Sequence, residues 1–333
     1  MPTLPLAFHP GGMFDPFLLL LTALVLDACL GEMPLLFRHV PHPVVVIGRA
    51  IAWLERRLNR PQRSDAARRA RGVLVLVALV AAAVAVGAAV QAVAAWLPYG
   101  WVVELFLLVT LVAQRSLYDH VAAVARGLEQ GGLAGGREAV AMIVGRDPHS
   151  LDSHGVSRAA VESCAENFSD GIVAPVFWYV LFGLPGMLAY KTVNTLDSMI
   201  GHRSERYRAF GWASARFDDL LNLVPARLSG LLIAVVAPLA GGRPGRALVC
   251  MLRDARRHRS PNAGWPEAAM AGALGLKLAG PRVYPGHTVD DPWIGAGRAE
   301  AGAADIRRAL RVMAAACGLQ AVLVALLWLT LGR

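Results

Sequence analysis

Residues 73–97 read VLVLVALVAAAVAVGAAVQAVAAWL, 25 positions without a formal charge. A helix of that length exceeds the hydrocarbon core of a bilayer, about 30 Å thick. The rest of the chain agrees. Over 333 residues it is 56% hydrophobic with a mean hydropathy of +0.47, too apolar for an ordinary soluble enzyme. An all-α fold is therefore expected: a polytopic membrane bundle forming one integral membrane domain over 1–333. No alternating strand-like run competes with the helical ones.

Working outward, spans are expected at 15–30, 73–97, 101–114 and 312–331. The first is short and interrupted by Asp27; the third carries Glu104. Pro98-Tyr99-Gly100 reads as a tight turn, and Trp96, Tyr99 and Trp101 suit an interfacial aromatic belt. Two further apolar stretches, 173–190 and 228–240, read as re-entrant or half-buried. The first is broken by Gly183-Leu184-Pro185-Gly186. His42-Pro43 and Gly48 look like a turn feeding an amphipathic helix over 49–58. GGLAGG at 131–136 reads as a flexible link, since a phosphate-binding loop would need a following Lys-Ser/Thr.

The net charge of +9 is almost all arginine, with lysine only at 191 and 277. Arg and Lys number nine in 31–72, five in 114–172, six in 191–227 and twelve in 241–311. The N-terminal segment and the 98–100 turn have none, so the positive-inside rule puts the large polar loops in the cytoplasm. The charges lie between apolar runs, not in one patch. Phosphate-bearing small molecules or anionic lipids fit better than nucleic acid. The four cysteines are far apart, which argues against zinc or a disulfide framework. Residues 1–14 carry no positive charge, so a cleavable signal peptide is not expected.

Polar residues concentrate between 157 and 264, beside sequence that would make them costly without partners. Arg158, Glu162 and Glu166 share a helical face, followed by Asn167, Ser169, Asp170 and a turn-permitting Gly171. Tyr190, Asn194 and Asp197 share another, and Asp218 and Asn222 a third, with Asp219 adjacent. Any one of these can be a solvated helix end or a packing contact. Together Asn194, Asp197, Asp218 and Asp219 are hard oxygen groups of the kind that hold magnesium with substrate phosphates. Arg203, Arg216 and Arg227, then Arg253 and Arg257, offer guanidinium forks for phosphate or carboxylate, or simply face anionic lipid. Asn262 and Gly264 suggest a shaped turn opening a helix, where phosphate can meet free backbone donors. His42 and His202 are weaker candidates for bases.

The motifs Glu166-Asn-Phe-Ser-Asp170-Gly, Asn194-Thr-Leu-Asp197, Arg216-Phe-Asp218-Asp219, Pro225-Ala-Arg227, Arg253-Asp254-Ala and Ser260-Pro-Asn262-Ala-Gly264 occur in one order. With Asp27-x-x-x-Gly31 and His42-Pro43 they make the chain resemble the CobD/CbiB family over nearly its whole length. One departure is Glu32, where that pattern has Asp; the carboxylate is kept. The resemblance implies an adenosylcobinamide-phosphate synthase of cobalamin biosynthesis. Such an enzyme joins adenosylcobyric acid to (R)-1-amino-2-propanol or its O-phosphate through an amide bond. It implies ATP with magnesium to activate the carboxylate, Glu166 or Asp170 as base, and the acidic residues 197, 218 and 219 at the metal. It also implies the arginines and Asn167, Asn194 and Asn262 on substrate or phosphate. The partners it implies are the corrinoid, aminopropanol or its phosphate, and the bilayer of the inner membrane, with the active site facing the cytoplasm. Self-association, or contact with other cobalamin-pathway enzymes, stays open. Two rivals remain at this level. A magnesium-dependent membrane transferase on an activated phosphate shares the acidic motifs but wants shorter polar loops. A sensor of the AmpE type would tolerate alanine at Asp197 or Asp218.

Overall fold

The structure, a computed structural model, describes residues 15–31, 33, 37–145, 147–284, 287–289 and 291–331. Glu32 and the leader before Asp15 lie outside them. The helices are α1 (Pro16–Leu30), α2 (Pro43–Leu58), α3 (Asp65–Trp96), α4 (Trp101–Leu111), α5 (Gln114–Val140), α6 (Ser153–Phe168), α7 (Ala174–Ile200), α8 (Trp212–Leu221), α9 (Leu223–Val236), α10 (Pro244–Asp254), α11 (Gly264–Leu274) and α12 (Ala303–Leu331). Two antiparallel ribbons follow α11, one pairing β1 (Leu278–Ala279) with β4 (Trp293–Ile294), the other β2 (Arg282–Tyr284) with β3 (His287–Val289). They are small additions to the helical fold expected. Strands of two or three residues are too short to show alternation.

Among the described residues, five helical stretches are long and apolar enough to cross a membrane: 65–96, 101–140, 153–200, 223–240 and 303–330. α1 is apolar but shorter, at 15 residues. The apolar window of the 65–96 stretch is only 17% buried, and Leu74, Val77, Val86 and Val93 are exposed along it. Water would not tolerate that surface on a monomer; lipid does. The chain is a multi-pass helical membrane protein.

The chain divides into two compact units. One holds residues 1–113, 174–222 and 324–333; the other holds 114–173 and 223–323. In the first, Asp15 caps α1 by accepting from the Phe17 N–H at 2.8 Å, and Ser64 caps α3. His42 caps α2 through Nδ1, and the helix runs from Pro43 straight through Gly48. No turn forms at Gly48, because Pro at the first helical position starts a helix well. Ile51, Val75, Leu76, Val193, Leu196, Ile200 and Phe210 form the core that fixes α2, α3 and α7 together. Buried Glu104 accepts from Gln91 Nε2 at 2.8 Å and from the Tyr179 hydroxyl at 3.0 Å. Both bonds reach Oε1 and offset part of the cost of a carboxylate inside an apolar helix.

α7 is not straight. Gly183 sits at φ 64°, ψ −156°, a conformation glycine reaches without strain. A Cβ on Gly186 would come within 2.5 Å of the Trp178 carbonyl oxygen, eight residues earlier. In an uninterrupted helix those residues are about 12 Å apart. The helix therefore doubles back at Gly183. A Cβ on Gly87 would lie 2.6 Å from the Pro185 Cα, so α3 closes on this bend through bare backbone, as small residues allow between membrane helices. Gly87→Leu is expected to cost about 1–3 kcal/mol by overpacking, read as a lower unfolding midpoint in detergent. An unchanged midpoint would contradict this packing.

In the second unit, α5 bends in the same way at Gly132, with φ 58°. Gly127 and Gly135 meet backbone to backbone, where an added Cβ would lie 2.5 Å from a carbonyl. GGLAGG is thus a close-packed turn and not the flexible link expected. α6 passes into a π-helical turn, Ser169–Val173, so the chain does not turn at Gly171 as expected. α9 packs on that turn and on α11, and α11 also packs on α6 and α10.

Candidate functional site

In the first unit the last turns of α7 face α8. The Tyr190 hydroxyl donates to Asn222 Oδ1 at 2.9 Å, and Asn222 Nδ2 donates to Asp218 Oδ2 at 3.0 Å. The Asn194 amide approaches the same carboxyl. Asp218 is 8% exposed, and its Oδ1 is buried without a hydrogen-bond partner. Burial first, then the negative charge of Asp197, push the Asp218 carboxyl up to about 7. Burial also raises Asp219, partly offset by Arg216 and Arg203. Arg216 Nη1 lies 3.7 Å from Asp219 Oδ2. Asp197 is half-buried, with Asp219 and the exposed His202 ring near it. A Cβ at position 201 would lie 1.9 Å from Asp197 Oδ1, so a bare backbone there gives this carboxylate its place.

The helical spacings seen in the sequence therefore do bring Asn194, Asp197, Asp218 and Asp219 into one cluster, with Arg203 and Arg216 charged neighbours of Asp219. Among the described residues no three His, Cys, Asp or Glu side chains form a ready metal cage. Magnesium does not require one. It takes one or two carboxylates and completes its shell with water and substrate phosphates. Asp197 and Asp218, with an unsatisfied buried oxygen between two amides, fit that pattern.

In the second unit the outcome is mixed. Arg158 and Glu162 do not face a site. Glu162 is buried and accepts the Ala279 N–H at 2.8 Å, while Arg158 donates to the Ala299 carbonyl at 2.6 Å and lies over Trp293. Both anchor the ribbon segment. Glu166 and Asn167, one turn on, are exposed, and Asn167 Nδ2 donates to Ser163. Asp170 is half-buried in the π turn beside Ser169, whose buried hydroxyl has no hydrogen-bond partner. π turns inserted in α-helices often mark functional positions. Arg227 reaches Asn262 Oδ1 at 3.4 Å and stacks over Trp265, its charge next to that of Arg256.

Arg253 and Arg257 both face buried Asp254, which the sequence places in the Arg253-Asp254-Ala motif without giving it a role. Arg253 Nε donates to Oδ1 at 2.8 Å, and the Gly295 N–H reaches Oδ2 at 2.9 Å. The Arg253 hydrogen bond leads in holding this carboxyl at about 2. A depressed carboxyl stabilises the fold above its ordinary pKa of 3.8 and loses that contribution as pH falls through about 2. Asp254→Ala is expected to cost about 1–3 kcal/mol, because the Gly295 N–H is left buried and unanswered. A thermal midpoint at pH 7 equal to wild type would refute it. Arg253 and Arg246 also line a cavity of about 390 Å³ floored by Gly272, Gly275 and Gly297. The turn expected before α11 is present, but Ser260 Oγ already accepts the Asn262 and Ala263 N–H groups, each at 3.2 Å. Fewer backbone donors remain there for phosphate than expected.

Fold and cluster together define a multi-pass helical membrane protein that gathers carboxylates and amides at the end of a bent helix. Residues 20–313 match the CobD/Cbib protein family model. Similar proteins include a cobalamin biosynthesis protein CobD of Sinorhizobium sp, 54% identical over 91% of this chain and 95% of that protein. Those of Rhodobacter capsulatus (51%; 93% and 98%) and Brucella suis (52%; 86% and 89%) are similar too. No solved structure matches the chain. The chain belongs to the CobD/CbiB family. It acts in cobalamin biosynthesis as an amide-forming ligase, an adenosylcobinamide-phosphate synthase.

Proposed function

We propose that amide formation between adenosylcobyric acid and (R)-1-amino-2-propanol, or its O-phosphate, depends on ATP and magnesium held at the α7–α8 cluster. The buried, unsatisfied Asp218 Oδ1 carries this reading. A protein does not keep a partnerless carboxylate oxygen under cover without cost unless a ligand completes it. When bound, ATP with magnesium makes the carboxylate of the corrinoid a competent acyl donor. Asp197, Asp218 and Asp219 would hold the cation; Asn194 and Asn222 fix the Asp218 carboxyl. Arg203 and Arg216 would meet phosphate oxygens; Asp219 holds Arg216 in place. Arg227 with Asn262 suits a second anionic group, as does the pair Arg253 and Arg257 over the glycine-floored cavity. Asn167, on the last turn of α6, suits a polar group of the substrate.

The attacking amine must lose a proton before it can form the amide. Glu166 and Asp170 are the carboxylates in this role, Asp170 being the better shielded. Holding the reactants in place can supply about 7–11 kcal/mol of the barrier reduction. The arginine distribution puts this chemistry on the cytoplasmic side. The hairpin at Gly183 supports a re-entrant reading of 173–190, whereas 228–240, as part of the 223–240 stretch, is long and apolar enough to cross. The test is the protein purified in detergent with adenosylcobyric acid, aminopropanol phosphate, ATP and magnesium. Amide product is expected only with all four. Product formed at an equal rate without ATP or magnesium would overturn the reading.

A further inference from the structure

Within the first unit, a cavity of about 770 Å³ is lined by Arg56, Asn59, Arg60, Pro61, Gln62, Arg68, Glu205 and Arg206. Four guanidiniums face one carboxylate in that lining. Nearby Glu55 neutralises only one of them, Arg206, which it meets through both oxygens at 3.0 and 2.9 Å, and Asp65 lies 3.6 Å from Arg68. Burial raises the Glu55 carboxyl, but the Arg206 and Asn59 hydrogen bonds outweigh it and hold it below its ordinary value. Arg68 is 8% exposed and fixed by Asn59 Oδ1 at 3.0 Å and by the Arg206 carbonyl. The wall is thus prearranged, and Arg56 and Arg60 remain exposed at it. None of these side chains belongs to the α7–α8 cluster.

Position says what the cavity takes. Arg68 stands on α3 five residues before Val73, where the uncharged run begins. α2, which supplies Arg56, exposes Val45, Val46 and Trp53, with Arg57 stacked over the Trp53 ring at 4.8 Å. Exposed apolar residues and a tryptophan beside arginines are the pattern of a helix lying in the headgroup layer. Basic pockets at the ends of membrane helices suit lipid phosphates. We infer that this cavity is a binding site for the phosphodiester headgroup of an anionic phospholipid.

The full chain would be reconstituted into nanodiscs of phosphatidylcholine with and without phosphatidylglycerol, and lipid retained after delipidation weighed by native mass spectrometry. Wild type is expected to prefer phosphatidylglycerol. R56Q/R60Q, which changes exposed residues only, is expected to reduce that preference about thirtyfold, and R126Q/R243Q to leave it unchanged. An R56Q/R60Q variant that prefers phosphatidylglycerol as strongly as wild type would overturn the inference. So would an equal loss in R126Q/R243Q, which would mean diffuse charge. So would competition by glycerol phosphate as effective as by phosphatidylglycerol, which would mean a free phosphate site.

Discussion

Asp218→Asn is expected to lower kcat about a hundredfold to a thousandfold, the usual cost of removing one group that meets charge in the transition state, and yet to stabilise the metal-free protein at pH 8. The two effects share one cause. Burial and Asp197 hold the Asp218 carboxyl near 7, against an ordinary 3.8. The folded protein therefore binds this proton more tightly than the unfolded chain does. For a carboxyl raised in this way, the folded state loses stability as pH climbs from 3.8 to about 7 and does not recover above it. The upper bound on that loss is about 4 kcal/mol, at 1.36 kcal/mol per pH unit. An amide keeps the hydrogen bond from Asn222 and carries no charge, so it escapes the loss. If Asp218 holds magnesium as proposed, the cation is expected to reverse the balance in wild type alone, because it stabilises the ionised form. It must displace the proton, so apparent magnesium affinity should weaken about tenfold per pH unit below 7. Thermal midpoints of both proteins across pH, with and without magnesium, check this. A variant less stable than wild type at pH 8 without metal, or one that keeps full ligase activity, would sink it.

Gly201→Ala comes next in size. Its Cβ would meet Asp197 Oδ1 at 1.9 Å and the Asp197 carbonyl oxygen at 2.7 Å. The side chain can rotate away, but the carbonyl oxygen is backbone, so the end of α7 must also shift and the carboxylate leaves its position. Displacing a catalytic group by about 1 Å can cost a hundredfold. The expected result is a drop in kcat/KM of about ten- to a hundredfold, with a higher magnesium requirement and a midpoint lowered by the equivalent of about 1–3 kcal/mol. A loss of activity matched by a collapse in stability would instead point to general misfolding.

How much of this was legible beforehand differs by residue. Asn194 with Asp197, and Asp218 with Asn222, could be paired from spacing alone, because a helix puts residues three and four apart on one face. Glu162 obeys the same rule, but periodicity gives the face and not what covers it. The cover is Ala279, over a hundred positions away. Asp254 stands in a motif but gains no role from it, for the opposite reason. Amid arginines a carboxylate looks like one more solvated charge, and only burial reveals it as the group that orders them.

The bends belong to the same lesson. Glycine at 132 and 183 advertised a break, but a break is equally a link or a hairpin until the flanking helices are seen to touch. Charge-free runs and their lengths determined from sequence alone that this is a helical membrane protein, since lipid leaves the backbone little choice but to bond within itself. Motif order settled the family on the same terms. Tertiary structure decided which acids are buried, which arginines are already spoken for, and where backbone meets backbone. Those outcomes depend on contacts between distant segments, and no local pattern of residues encodes them.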